Sequence, residues 1–413
     1  MACIKNWVRH LIWLVLPGML PVGAAMSAEE SKLGFDYAGL LDLRLAKPSR
    51  ETSWLEGGFG KVRYGADSSD PTFRFSEASL ILMPRYGWDL SGYFHLKADS
   101  DQDQLVDLIE GYVSYKPVST TENRYRLRAG IFYPPISLEN TAIAWTSPYS
   151  ITTSAINTWV GEETRGYGIE GSWQREVGEN KISLTGAVLW GTDKAGTVLY
   201  RRGWALHDYR PAINDDLPVP LPASAPYLAT TSRSMVETDH RPGYYLSFEW
   251  KDLDGKQLRL MYYDNQTDPS SVNGAENGWL TRFVSAGLQL PLAYDIELIS
   301  QYMNGYTLLD VPGFAELKTD FDSAFVLLTK KWEKYRLTGR VDWFEVEDVD
   351  HVASDFSEDG WSTMLAGCRD IFKSQSLWLE LLYISSRRPT RATATEGDRW
   401  DDVILQASYR LEF

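Results

Sequence analysis

The chain has almost no cysteine, no long apolar run and a deficit of positive charge. Among 413 residues the cysteines are Cys3 and Cys368. Cys3 falls in a segment expected to be removed, and the single remaining thiol permits no internal disulfide. No Cys/His spacing suggests a zinc site, so Cys368 reads as a small residue within a strand and no metal or cofactor is expected. No stretch of about twenty apolar residues exists, which excludes a transmembrane helix. Lys and Arg total 41 against 56 Asp and Glu, a formal net charge of -15. That balance argues against nucleic acid as a partner. It suits acidic external loops among divalent cations and lipopolysaccharide. No linker divides the chain: the proline-rich stretch 211–226 reads as an extended part of one large loop.

What the chain does have is aromatic residues and alternation. It carries 23 Tyr and 16 Trp, amphipathic rings suited to the two headgroup belts of a membrane. Its last residues alternate an apolar set (Val403, Leu405, Ala407, Tyr409, Leu411, Phe413) with a polar one (Asp402, Gln406, Ser408, Arg410, Glu412). That is a strand with one greasy and one wet face, ending on an aromatic. The ending resembles the closing strand of bacterial outer-membrane barrels. The resemblance implies that Phe413 is part of the assembly signal read by the barrel-insertion machinery. At the other end, residues 1–28 read as a secretory signal. Lys5, Arg9 and His10 precede a short apolar core, and a small-residue stretch follows, with cleavage after Ala25 or Ala28.

Sixteen segments read as amphipathic strands of about ten residues, the length a tilted membrane strand needs. They fall at 35–45, 72–83, 88–98, 106–116, 124–133, 166–175, 180–191, 241–251, 256–264, 280–291, 294–304, 321–332, 335–344, 360–371, 375–386 and 400–413. In 72–83 and 321–332 both faces are apolar, as in Phe325-Val326-Leu327-Leu328. Connections alternate short and long along almost the whole chain. The long ones are expected at 46–71, 134–165, 192–240, 265–279, 305–320, 345–359 and 387–399. This predicts an all-β, closed antiparallel barrel over 29–413, with tight periplasmic turns and long external loops, in the outer membrane of a Gram-negative bacterium.

One segment is more specific. Gly130-Ile131-Phe132-Tyr133-Pro134-Pro135-Ile136-Ser137-Leu138-Glu139 resembles a stretch of the phosphate-selective porin O/P family. Glu110 to Lys116, Gln301 to Thr307 and Leu405 to Arg410 are also similar to it. The resemblance implies a sixteen-stranded porin, a homotrimer, with its third external loop folded into the lumen.

The physics of the lumen leads to the same loop. Sixteen strands enclose a water-filled bore that would discriminate little unless something narrowed it. Loop 134–165 has the place and length to do so, stiffened at its exit by Pro134-Pro135 and carrying Glu139, Glu162, Glu163 and Arg165. Arg126 and Arg128 stand on the inward face of the preceding strand, with Glu110 and Lys116 one strand earlier. Arg336, Arg340 and Asp342 form a second inward cluster. Rings of this kind set a pore's preference among solutes. Inward acids, including Asp42, Glu170, Glu249 and Glu380, roughly offset these bases. The expectation is therefore a channel for small hydrophilic solutes or ions, with a mixed or weakly cation-preferring field rather than strict phosphate selectivity. The alternative is a surface-binding barrel, an adhesin or receptor, acting through loop 192–240. Two local motifs are discounted. Asp99, Asp101 and Asp103 imitate an EF-hand, but Gln104 stands where the loop needs glycine. Ser91 and His95 lie about 13 Å apart along one strand, too far for general-base catalysis, so no enzyme is expected.

Overall fold

The structure, a computed structural model, describes residues 33–65, 70–220, 230–350, 352–393 and 397–413. The signal segment 1–28 lies outside the described residues. Sixteen antiparallel strands close into one barrel. β1 to β5 are Leu33–Lys47, Thr72–Tyr86, Leu90–Ala98, Asp107–Tyr115 and Asn123–Phe132. β6 to β9 are Gly166–Val177, Asn180–Trp190, Gly243–Asp252 and Gln257–Asp264. β10 to β13 are Leu280–Pro291, Ile296–Val311, Ala315–Trp332 and Tyr335–Asp348; β14 to β16 are Glu358–Phe372, Gln375–Arg387 and Arg399–Glu412. Each strand coincides with one of the segments read from alternation. Among the described residues no helix is long and apolar enough to cross a membrane.

The seam joins β1 to β16, with Leu40 opposite Glu412 and Lys47 opposite Leu405. The terminal residue completes it: Gly39 N–H donates to the Phe413 carbonyl at 2.8 Å, and Phe413 N–H to the Gly39 carbonyl at 3.0 Å. A side-chain carbon at Gly39 would overlap the Phe413 ring, so the glycine is the ring's seat.

One expected long loop is absent. β11 and β12 run on to Val311 and from Ala315 and meet in a tight turn at 312–314, where Gly313 has φ +75°. Around the turn outward-facing Asp310, Glu316, Lys318, Asp320 and Asp322 are polar, so the amphipathic signature fades while the ladder continues. The inward row Thr307, Leu309, Leu317 and Thr319 stays buried. Likewise β13 and β14 extend into 345–359 and leave a shorter connection.

The two segments with ambiguous faces explain themselves in the fold. Ile81, Phe325 and Leu327 point inward and are buried, whereas Leu80, Val326 and Leu328 face outward. Across β10 to β15 the inward face carries Phe283, Ile299, Met303, Phe321, Phe344, Met364, Leu382 and Ile384, all buried in one apolar cluster. This part of the lumen wall is greasy because loops pack against it: Trp159 of the third loop and Trp204 of the fourth both belong to the cluster.

With no free sheet edge, the folded barrel should resist SDS at room temperature and migrate anomalously until boiled. Identical migration before and after boiling would contradict the closed ladder.

Candidate functional site in the lumen

The third external loop leaves β5 at Phe132 and turns inward at once. Glu110, buried on β4, accepts a hydrogen bond from the Tyr133 N–H at 3.0 Å and fixes that exit. The loop then reaches the far wall. Glu380 on β15 accepts the N–H groups of Ile151 (2.7 Å) and Thr152 (3.1 Å). Arg340 on β13 donates to Glu139 (2.6 Å), Asp342 (2.8 Å) and the carbonyls of Thr152 (2.8 Å) and Thr153 (3.1 Å). A short helix, α1 (Ala155–Glu163), follows, with Ser154 as its N-cap accepting from Asn157 N–H. All nine of its residues are buried, because it lies inside the barrel rather than on a surface. Trp159 packs against Phe321 and Phe283, with ring centroids at 5.2 and 5.6 Å.

The fourth external loop folds in as well. Its helix α2 (Thr197–Arg202) is held at its start by Glu163, which accepts from the N–H groups of Gly196 and Val198. Arg202 forms a bidentate pair with Glu162 at 2.7 and 2.8 Å, and the His207 Nε2 contacts Glu162 at 2.9 Å. Burial disfavours the Glu162 anion, but Arg202 and His207 outweigh it and hold the carboxyl down at about 2. Burial pushes His207 below its ordinary value despite that partner, and its ring stacks on Trp54 of the first loop at 4.9 Å. Lys61, also of the first loop, is fully buried; it donates to the Trp204 carbonyl at 2.7 Å and pairs with Glu358. Burial pulls its ammonium down to about 7.

The residues singled out in the sequence are scattered over four settings. Glu139, Arg340 and Asp342 form one buried network anchoring the third loop. Glu162, Glu163 and Arg165 bind the third loop to the fourth; Arg165 donates to the Pro211 carbonyl and the Ser234 hydroxyl, both at 2.7 Å. Arg126 and Arg128 share Glu170 at 2.9 and 2.7 Å. Arg336 lies over the Tyr149 ring at 5.2 Å, facing the periplasmic end. Lys116 is exposed at that same end, beside a cavity of about 270 Å³ lined also by Arg124, Arg126, Arg259 and Glu249.

Several inward acids meet the bases as discrete pairs, Glu249 with Arg259 among them. Asp42, Glu110, Glu170, Asp342 and Glu380 are buried and committed to named partners, whether wall cations or loop N–H groups. The discounted motifs are structural too. Asp99 and Asp101 hold Arg63 at 2.5 and 2.8 Å, and His95 bonds Ser79 at 2.8 Å rather than Ser91. Lys61, Arg202, His207, Asp208 and Arg210 were missed. For Asp208 and Arg210 the available signal is the charged run His207-Asp208-Tyr209-Arg210 in a proline-rich loop; Lys61 and Arg202 carry none.

No protein-family model matches the chain, and no curated protein matches it. Solved structures do. The chain is similar to in-vitro folded OmpT, an outer membrane protein of Vibrio cholerae, at 10% identity and TM-score 0.52, over 94% of this chain and 100% of that one. Salmonella typhi OmpF, solved with daunomycin, gives 11% identity and TM-score 0.52 over 94% and 100%. Pseudomonas putida OprB gives 10% and 0.50 over 92% and 94%. At these identities the likeness defines the fold. It is the general porin fold, with nothing specific to the phosphate-selective O/P family.

Proposed function

We propose that the protein is a porin-type channel of narrow bore, passing small hydrophilic solutes or ions across the outer membrane of a Gram-negative bacterium, with no strict phosphate selectivity. The observation that carries this reading is the third loop, inside the closed barrel and bonded to the opposite wall through Arg340, Asp342 and Glu380. A loop so placed narrows the bore and aligns charged groups at its narrowest section. Glu110, Arg128, Glu139, Glu162, Glu163 and Arg165 brace that section, while Lys116, Arg126 and Arg336 line its periplasmic approach. Exposed Tyr37, Tyr86, Tyr125 and Trp343 on the outer wall suit lipid and lipopolysaccharide contact. Assembly as a homotrimer belongs to the same reading.

The deciding experiment is planar-bilayer recording of the purified protein, with reversal potentials in a salt gradient with and without phosphate. Small discrete steps with weak selectivity are expected. Strong anion selectivity, with chloride current blocked by low phosphate, would restore the phosphate-specific reading. The second reading, a surface-binding barrel, is favoured by how completely three loops fill the outer lumen. Absence of steps together with loop-dependent ligand binding would establish it.

A further inference from the structure

Loop 134–165 is not alone in crossing the bore: the fourth loop runs beside it from the β13–β15 wall to the β1–β4 wall. The Tyr200 carbonyl accepts from Arg388, beyond the end of β15, at 2.5 Å. Trp204 N–H donates to Glu358 at 2.8 Å, and its indole N–H to the Glu345 carbonyl at 2.9 Å. Leu206 N–H then meets the Lys61 carbonyl at 2.8 Å, and the His207 carbonyl accepts from Thr153 and Thr158 of the third loop at 2.7 and 3.0 Å. Asp208 reaches Arg44 on β1 at 2.8 Å and Arg63 at 3.7 Å. Arg210 pairs with Glu77 on β2, and its carbonyl accepts from Lys97 on β3 at 2.6 Å. Ile213 N–H ends the crossing at the Leu108 carbonyl on β4, 3.0 Å away.

The two ends are held by different forces. Near β13 and β14 the hold is apolar: Trp204 and Leu206 belong to the large buried cluster, and Trp204 lies 5.9 Å from Phe321. Near β1 to β3 the wall contacts are ionic, through Asp208 and Arg210, to which the small side chain of Ala212 adds a minor apolar contact with Ile109 and Tyr133. Burying apolar area is lost outright on release. Buried ion pairs instead regain solvation when they separate into water, so breaking them is close to balanced. The ionic end is therefore the end that lets go.

We propose that residues 204–213 are a strap that closes the outer lumen, hinged at Trp204 and latched to the β1–β3 wall by Asp208 and Arg210, and that conduction requires the latch to release. This inference rests on the channel reading and deepens it. The two fail differently in the following experiment. Ile109 and Ala212 pack together in one small cluster. Ile109→Cys with Ala212→Cys, in a Cys368→Ala background, places a thiol on each side of the latch.

Heat-shifted migration in SDS first selects folded barrels. Recorded in bilayers, the oxidised protein should stay closed and the reduced protein should open. A second variant, Asp208→Asn with Arg210→Gln, should raise open probability roughly tenfold, the scale of losing such a bias between two states. Equal conductance in the oxidised and reduced states, with cross-linking verified by mass, overturns the strap and leaves the channel standing. Silence of folded protein in both states, and after excision of 204–213, overturns the channel reading and the strap with it.

Discussion

Arg340→Met should be the most damaging single substitution in the lumen. The guanidinium serves two carboxylates and two carbonyls at once, with every partner buried. Methionine preserves most of the volume but leaves Glu139 and Asp342 as uncompensated buried charges, a loss of roughly 3–5 kcal/mol. Reversible denaturant unfolding in detergent, followed by tryptophan fluorescence, measures it. Arg340→Lys should fall between, because an ammonium restores charge without the planar fork. Adding Glu139→Gln to Arg340→Met should recover part of the loss, since one orphaned charge disappears. Single-channel conductance should rise in Arg340→Met as the third loop loosens. Unchanged stability and conductance would mean that the Arg340 network does not hold the loop.

The second large effect is expected at the seam. Gly39→Leu should leave most of the chain outside the heat-shifted, assembled form, because its side chain takes the space of the Phe413 ring. Deleting Phe413 should impair assembly as well, by removing both the aromatic and the last pair of backbone hydrogen bonds. The two lesions separate on combination. If Gly39→Leu acts sterically, Phe413→Ala should partly rescue it; if Phe413 matters as an assembly signal, the double variant stays poor. Surface levels in outer-membrane fractions, compared before and after boiling, give the result. Wild-type levels for Gly39→Leu would contradict the packed seat.

The strands were legible because a membrane barrel imposes a rule on every residue: outward apolar, inward polar, period two. Where the chain obeyed that rule, as in Arg124 to Tyr133 or Tyr335 to Phe344, faces could be assigned from the sequence. Where it departed, the reading stopped early. Toward the β11–β12 turn the outward face turns polar at Asp310, Glu316, Lys318, Asp320 and Asp322, so alternation no longer marks the ladder that joins Val311 to Ala315. Phe325 and Leu327 blurred their segment for the opposite reason: they face inward onto loops whose placement no local pattern encodes. Glu139 and Arg340 could each be flagged as inward charges, but their pairing across 201 residues is a tertiary fact. Lys61 and Arg202 were invisible, since a charged loop residue has no periodicity to betray burial.

The filled bore also bears on the order in which the molecule is made. Strands joined by the short periplasmic turns can zip up locally, whereas the loop-to-wall bonds join residues 201, 229 and 263 positions apart. Such pairings come late, because the intervening chain must be confined before they gain anything. Arg410, on the last strand, donates to the Ser147 carbonyl, so the third loop cannot complete its docking until β16 has arrived. The final strand thus does two jobs at one moment: it shuts the cylinder and finishes its filling. Refolding into lipid should show an early rise of β-structure and a slower phase in which the luminal tryptophans, Trp159 and Trp204, leave water.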